Sequence, residues 1–279
     1  MAATLFDSRP LVGQMTSALQ EEALRFRERR RRPARLAQLI AGRDPAAAVY
    51  SRQLARSCRA IGLDCATLAY PFEIEEEALR AEVTALNADP NTDGIVLLLP
   101  LPAHIRQRIV TEVLQPEKDV DGLGPRNAGN LLLGFPSFIP STADVVLAVL
   151  KDAGIPIAGR NAVIVGRSNI GGKPTALMLM RQDATVTICH SHTQDLASIT
   201  RSADILVVST GRPASFTADM VKPGAVVLDA GINTVNGKVV GDIDFESVSQ
   251  VASFLTPVPG GLGPLTHLML IRHTLAGPE

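Results

Sequence analysis

The chain has 279 residues, 46% hydrophobic and 20% charged, a composition that builds folded domains and excludes disordered or fibrous classes. A formal net charge of -1 excludes nucleic-acid binding through overall charge. No apolar run of about 18 residues offers a membrane span. Three cysteines, Cys58, Cys65 and Cys189, lack metal-ligand spacing and cannot all pair within one chain. That suits a reducing compartment. The opening MAATLFDSRP has no basic segment leading into an apolar core, so the expected location is the cytoplasm, without a metal site.

In chain order, a helix is expected over Leu11–Arg30, ending in the arginine run Arg29–Arg32 and Pro33. A strand follows at Arg35–Ala41, then the turn Gly42–Pro45 and a helix over Ala47–Ile61 that Gly62 closes. A strand at Cys65–Ala69, a helix at Ile74–Asn87 and the apolar run Gly94–Leu99 complete an alternating β/α pattern, which Pro100 and Pro102 end. The second half begins near Pro140. It holds a helix at Ala143–Ala153, a strand at Asn161–Val165, a glycine-bearing turn and a helix from Lys173 to Arg181. Strands at Thr185–Cys189, Ile205–Ser209 and Val226–Asp229 follow. Short β-branched runs alternating with helices predict a parallel sheet covered on both faces. The arginine run reads as the solvated end of a helix.

The turn Gly166-Arg-Ser-Asn-Ile170-Gly-Gly172 follows a strand and opens a helix. Glycines there let backbone approach a pyrophosphate, and the helix start supplies N–H donors. The spacing is not GxGxxG, and a tight turn without ligand would use similar residues. The next strand discriminates. A site selective for NAD ends its second strand with an acid that bonds the ribose 2′-hydroxyl. Here that strand ends Cys189-His190-Ser191-His192. Arg167 and Ser191, with no competing carboxylate, favour the 2′-phosphate of NADP. His190 and His192 are given no chemical role.

Four motifs occur in order: Asp93-Gly-Ile … Leu99-Pro-Leu-Pro102, Lys118-Asp-Val-Asp-Gly122, Gly166-Arg-Ser-Asn-Ile170, and Thr256-Pro-Val-Pro-Gly-Gly-Leu-Gly-Pro264. Together they resemble the bifunctional methylenetetrahydrofolate dehydrogenase/cyclohydrolase family, from about Leu11 to Thr274. The resemblance implies a two-domain α/β homodimer. An N-terminal folate domain would span residues 1–138, completed by a last helix over about 265–279. A Rossmann-type NADP domain would span 139–264, with a cleft between the two. It implies Tyr50 and Asp121 as catalytic and folate-binding residues, with Gly263 and Pro264 lining the folate. Thr142, Gly166, Arg167, Ser168, Ile170, Gly172, Ser191, Ile232 and Thr266 would contact the cofactor. On residue type alone, Tyr50 equally suits packing, Asp119 and Asp121 suit a turn, and Pro257–Gly263 suits a plain connection.

Three polar positions of that family are replaced. Its lysine, four residues after the tyrosine, is Leu54; its glutamine before Leu-Pro-Leu-Pro is Leu98; its serine before the tyrosine is Ala47. Ser141 stands for a cysteine and Gly171 for a valine. The family's dehydrogenase step moves hydride between two bound rings, which geometry largely supplies. Its cyclohydrolase step adds water to the methenyl cation and needs an acid/base group, for which lysine serves when its pKa is lowered. Leucine cannot do this, and arginines 52 and 56 stay protonated. No lysine precedes Lys118 among the 27 basic residues.

The leading expectation is an NADP-dependent methylenetetrahydrofolate dehydrogenase with weak or absent cyclohydrolase activity. Two alternatives stand beside it: a diverged paralogue acting on another imine-like C–N bond in a pocket lined by Leu54 and Leu98, and a silent folate- or NADP-binding protein. All three imply a small-molecule ligand and neither nucleic acid nor membrane as partner.

Overall fold

A computed structural model describes residues 3–277. The chain forms two compact units: residues up to Leu11 with Ser141–Thr266, and Val12–Pro140 with the residues from His267 onward. In chain order, β1 (Thr4–Leu5) and α1 (Ser8–Arg30) precede β2 (Arg35–Ala41), α2 (Pro45–Ile61), β3 (Asp64–Tyr70), α3 (Glu76–Ala88) and β4 (Gly94–Leu97). Helices α4 (Gln107–Thr111), α5 (Pro125–Leu133) and α6 (Ser141–Asp152) lead to β5 (Asn161–Val165), α7 (Gly172–Met180), β6 (Thr185–Cys189), α8 (Leu196–Thr200), β7 (Ile205–Val208) and β8 (Val226–Asp229). The hairpin β9 (Asn233–Val235) and β10 (Lys238–Val240) comes next, then α9 (Phe245–Val248), β11 (Phe254–Leu255) and α10 (Gly263–Ala276).

The smaller sheet has the order β3-β2-β4, all parallel. Its central strand is buried on both faces and mostly apolar, with Gln38 as the buried polar exception. Ala37 and Leu39 pack with Ile95 and Leu97 against Leu79 and Val83 of α3 and Val110 of α4. Helix α2 starts where Asp44 accepts the Ala47 N–H at 2.7 Å and Pro45 opens the first turn. It ends at Gly62, whose left-handed φ of 102° lets its N–H reach the Cys58 carbonyl, a geometry that favours glycine.

The larger sheet is six-stranded and parallel, in the order β1-β11-β8-β7-β5-β6. Val163, Val165, Leu206, Val208, Val227 and Leu255 form its core. Strands β2, β5, β6 and β8 have the limits expected from pattern, but β4 stops at Leu97 rather than Leu99. Seven elements went unrecognised in the sequence: β1, β9, β10, β11, α4, α5 and α9. Strands β1 and β11 are two residues each, too short to carry a period; Thr4 and Leu5 pair with Phe254 and Leu255, which pair in turn with Val226 and Val227 of β8. The first residues, expected in the N-terminal domain, therefore extend the sheet of the other unit. The unpaired edge of β11 recruits them. The strands of the β9–β10 hairpin, the short helices α4 and α9, and α5, bounded by Pro125 and the left-handed Gly134, were the others.

Two polar residues of the Lys118-Asp-Val-Asp-Gly122 segment organise the loop after β4. Lys118 Nζ donates to the carbonyls of Leu86 (3.2 Å), Asn87 (2.7 Å) and Asp89 (2.7 Å), closing the C-terminal end of α3. Asp119 is buried and accepts from the amides of Leu123 (3.0 Å) and Gly124 (2.8 Å) and from Asn127 Nδ2 (3.0 Å). Burial pushes its carboxyl up to about 7, against the opposing pull of those three donors. Removing the carboxylate strands buried N–H groups, each costing about 1–3 kcal/mol. Asp119→Ala is therefore expected to lower stability by at least about 2 kcal/mol. A urea midpoint unchanged from wild type would contradict this.

Candidate functional site

In the unit of the six-stranded sheet the site begins where β5 ends. Gly166 has a φ of 141°, and a Cβ there would lie 2.3 Å from the Ser209 carbonyl oxygen. A Cβ on Gly172 would lie 2.1 Å from the Gly166 carbonyl oxygen. Backbone thus runs against backbone on both sides of the turn, and no side chain fits at either position. Ser168 Oγ accepts the amides of Gly171 (3.1 Å) and Gly172 (3.4 Å) at the start of α7. Arg167 and Ser168 are exposed and Ile170 half-buried.

Residues Val165 and Cys189 are register partners in β5 and β6, so exposed Ser191 follows the strand beside the glycine turn. Asp195, the nearest acid after β6, is engaged as the cap of α8. Exposed Ile232 follows β8 and half-buried Thr142 lies in the first turn of α6. Loops at the carboxyl ends of parallel strands are where open α/β sheets bind ligands. Thr266 is buried, its hydroxyl donating to the Gly263 carbonyl at 2.8 Å in the first turn of α10.

The loop after β8 depends on two carboxylates that sequence reasoning missed. Asp229 accepts the amides of Gly231 (2.9 Å), Asp242 (3.1 Å) and Ile243 (3.0 Å). Asp242 in turn accepts the amides of Thr210 and Gly211 and the side-chain amide of Asn233. Burial pushes Asp229 up to about 6. Their pattern in sequence is that of ordinary strand-end aspartates, and only the fold shows what they hold.

In the unit of the three-stranded sheet, α2 and Leu98 both follow the carboxyl ends of neighbouring parallel strands, β2 and β4. Ala47, Ser51, Leu54, Cys58 and Ile61 form the buried stripe of α2 at helical spacing. Leu54 is 0% exposed and Leu98 5%, so both leucines are enclosed. Tyr50, one turn before Leu54, is half-buried. Its ring lies 4.4 Å, centroid to centroid, from that of His267 on α10. Half-buried Asp121 sits in the loop that Asp119 organises, and Gly263 and Pro264 begin α10. His267 is the residue that sequence reasoning passed over. Nothing marks it in the chain except its place directly after Thr266.

A parallel sheet with a glycine turn, no acid in use after its second strand, and a separate α/β unit define a two-unit α/β protein with a nicotinamide-dinucleotide site. Residues 140–278 match the tetrahydrofolate dehydrogenase/cyclohydrolase NAD(P)-binding domain, and residues 6–121 match the catalytic domain of the same family. The bifunctional protein FolD of Exiguobacterium sibiricum is 45% identical over 98% of both chains. The bifunctional FolD dehydrogenase/cyclohydrolase of Campylobacter jejuni superposes with a TM-score of 0.93 at 39% identity, covering 98% of each chain. The Trypanosoma brucei dehydrogenase-cyclohydrolase, solved with NADP and an inhibitor, gives 0.94 at 35% identity over 99% of this chain and 97% of that one. The chain belongs to the tetrahydrofolate dehydrogenase/cyclohydrolase family. Among the described residues, no helix is long and apolar enough to cross a membrane.

The glycine contacts lead to a direct test. Gly172→Ala pushes a methyl group into the Gly166 carbonyl and is expected to weaken dinucleotide binding at least about tenfold, or roughly 1.4 kcal/mol. NADPH fluorescence titration measures it; equal affinity would mean that the turn does not cradle the dinucleotide.

Proposed function

We propose that this chain transfers hydride between 5,10-methylenetetrahydrofolate and NADP, and that its cyclohydrolase activity is weak or absent. Membership of the family and the names of its relatives support the dehydrogenase half. One observation carries the other half: position 54 holds a leucine that is 0% exposed, on the same helix face as Tyr50. The sole lysine of that unit, Lys118, is committed to three carbonyls at the end of α3. It is not available as a proton carrier.

NADP fits the residues present. Gly166 and Gly172 leave room for backbone to meet a pyrophosphate, while Arg167 and Ser191 are exposed where a 2′-phosphate would need a cation and a hydroxyl. When bound, NADP supplies the hydride acceptor. The chain's own contribution is to hold the two rings in line, Tyr50 and Asp121 orienting the folate and Gly263 and Pro264 lining it. Hydride transfer needs no proton carrier at position 54. Water addition to the methenyl cation does, and positioned acid/base groups contribute typically about 10²–10⁴-fold. The same reading includes a cytoplasmic homodimer.

Two assays of the purified protein test this. NADPH formation from methylenetetrahydrofolate and hydrolysis of separately supplied methenyltetrahydrofolate are followed independently. Hydride transfer is expected, with hydrolysis at least about tenfold slower than in a lysine-bearing relative. The pair Leu54→Lys, Leu98→Gln is expected to raise hydrolysis about tenfold or more, at a cost in stability from burying an amine. Hydrolysis equal to that of the relative would refute the lysine reading. NADP binding without either reaction would move the substrate to another imine-like compound. Arg167→Ala is expected to lower the preference for NADP over NAD by about tenfold; an unchanged ratio would remove Arg167 from 2′-phosphate recognition.

A further inference from the structure

We propose that the residual hydrolysis of this chain runs through His267, which takes from the attacking water the proton that the family passes to a lysine. The proposal rests on the folate reading above and goes beyond it: activity is weak rather than absent, and it has a named carrier. Three observations support it. First, His267 lies against Tyr50, ring centroids 4.4 Å apart and planes at 57°. Tyr50 stands one turn from Leu54 on α2, so α10 delivers an imidazole to the tyrosine whose neighbour has lost the amine.

Second, His267 is 6% exposed and its Nε2 has no hydrogen-bond partner. Buried polar atoms are nearly always paired, and an unpaired one calls for a partner from outside the chain. The other histidines of the unit are already engaged: His104 Nε2 donates to the Ile74 carbonyl at 2.9 Å and His273 Nδ1 to the Val120 carbonyl at 2.7 Å. Third, no lysine of this unit is free for the task, and its arginines stay protonated. Nε2 is buried beside the Tyr50 ring, so the proposal includes a movement of that ring which admits the water.

Burial pushes His267 down to about 4, so the imidazole is neutral near pH 7 and able to accept a proton. A base so far below the operating pH is weak, which accounts for slow hydrolysis. The step balances as follows. The water oxygen bonds to the cationic methenyl carbon while one water proton passes to Nε2. The neutral adduct then breaks one C–N bond, whose electron pair stays on nitrogen. That nitrogen takes up the hydroxyl proton, a formyl group remains on the other nitrogen, and His267 releases its proton to solvent.

The test compares the two reactions in wild type, His267→Gln and His267→Ala, each corrected for the uncatalysed rate. Wild type is expected to hydrolyse methenyltetrahydrofolate measurably above background. His267→Gln is expected to lose at least about tenfold more hydrolysis than hydride transfer. Added imidazole, corrected for its action without protein, should restore part of the hydrolysis in His267→Ala and none in His267→Gln. A merely structural histidine would not produce that rescue. Wild type with hydride transfer but no hydrolysis above background would overturn the proposal and leave the dehydrogenase reading standing. Equal loss of both reactions, or absence of rescue, would also overturn it. No hydride transfer with folate in wild type would instead defeat the folate reading, and this proposal with it.

Discussion

The constraint on which the dinucleotide half depends is a contact between two stretches of backbone. The Gly166 carbonyl occupies the space where a side chain on residue 172 would begin, and Gly166 itself is pressed against the Ser209 carbonyl. Close approach at these points lets β5 turn directly into α7 and leaves the helix start open on the side of the strand ends. Every larger residue would push the turn outward. The position of Arg167 and Ser168 on the exposed lip of this turn follows from that contact, as does the meeting of the turn with the end of β6. Selectivity for the phosphate then falls to the exposed side chains, which can vary without disturbing the fold.

Buried carboxylates play the matching part in the loops. Asp119 in one unit and Asp229 with Asp242 in the other each gather backbone amides that no strand or helix satisfies. A loop that enters the interior must pair its N–H groups, and a carboxylate accepts several at once. Burial raises Asp119 and Asp229 towards neutrality while the donors oppose it. These acids are therefore organisers of the loops that carry Asp121 and Ile232, rather than reactants. That division explains why adjacent aspartates of one short motif have different environments, Asp119 enclosed and Asp121 half-buried.

The character of the unit with the three-stranded sheet turns on what α2 shows to its surroundings. Its buried stripe is aliphatic at position 54, and Leu98 after β4 is enclosed as well. Aliphatic side chains at both places leave no buried polar group there that needs a partner. The unpaired nitrogen of His267 beside Tyr50 is a buried polar feature that packing does not explain. A family whose members combine a step governed by geometry with a step governed by proton transfer can lose or reassign the second while retaining the first, because the two depend on different side chains.

Much of this was determined by the sequence alone. Strands Arg35–Ala41, Asn161–Val165, Thr185–Cys189 and Val226–Asp229 stand out as short apolar runs between punctuating glycines and helices, since local pattern is enough to define a covered parallel strand. The glycine turn, the missing acid after β6 and the leucine at position 54 are likewise matters of residue identity at a known spacing. What the tertiary structure decided is pairing between distant segments. Two-residue strands such as β1 and β11 carry no period and exist only through pairing with distant strands, β1 on β11 and β11 on β8. The amides held by Asp119 and Asp229, and the seating of His267 on Tyr50, join residues whose local sequence has no preference for one another. Such contacts are set by the packing of whole elements, and no pattern within a single segment encodes them.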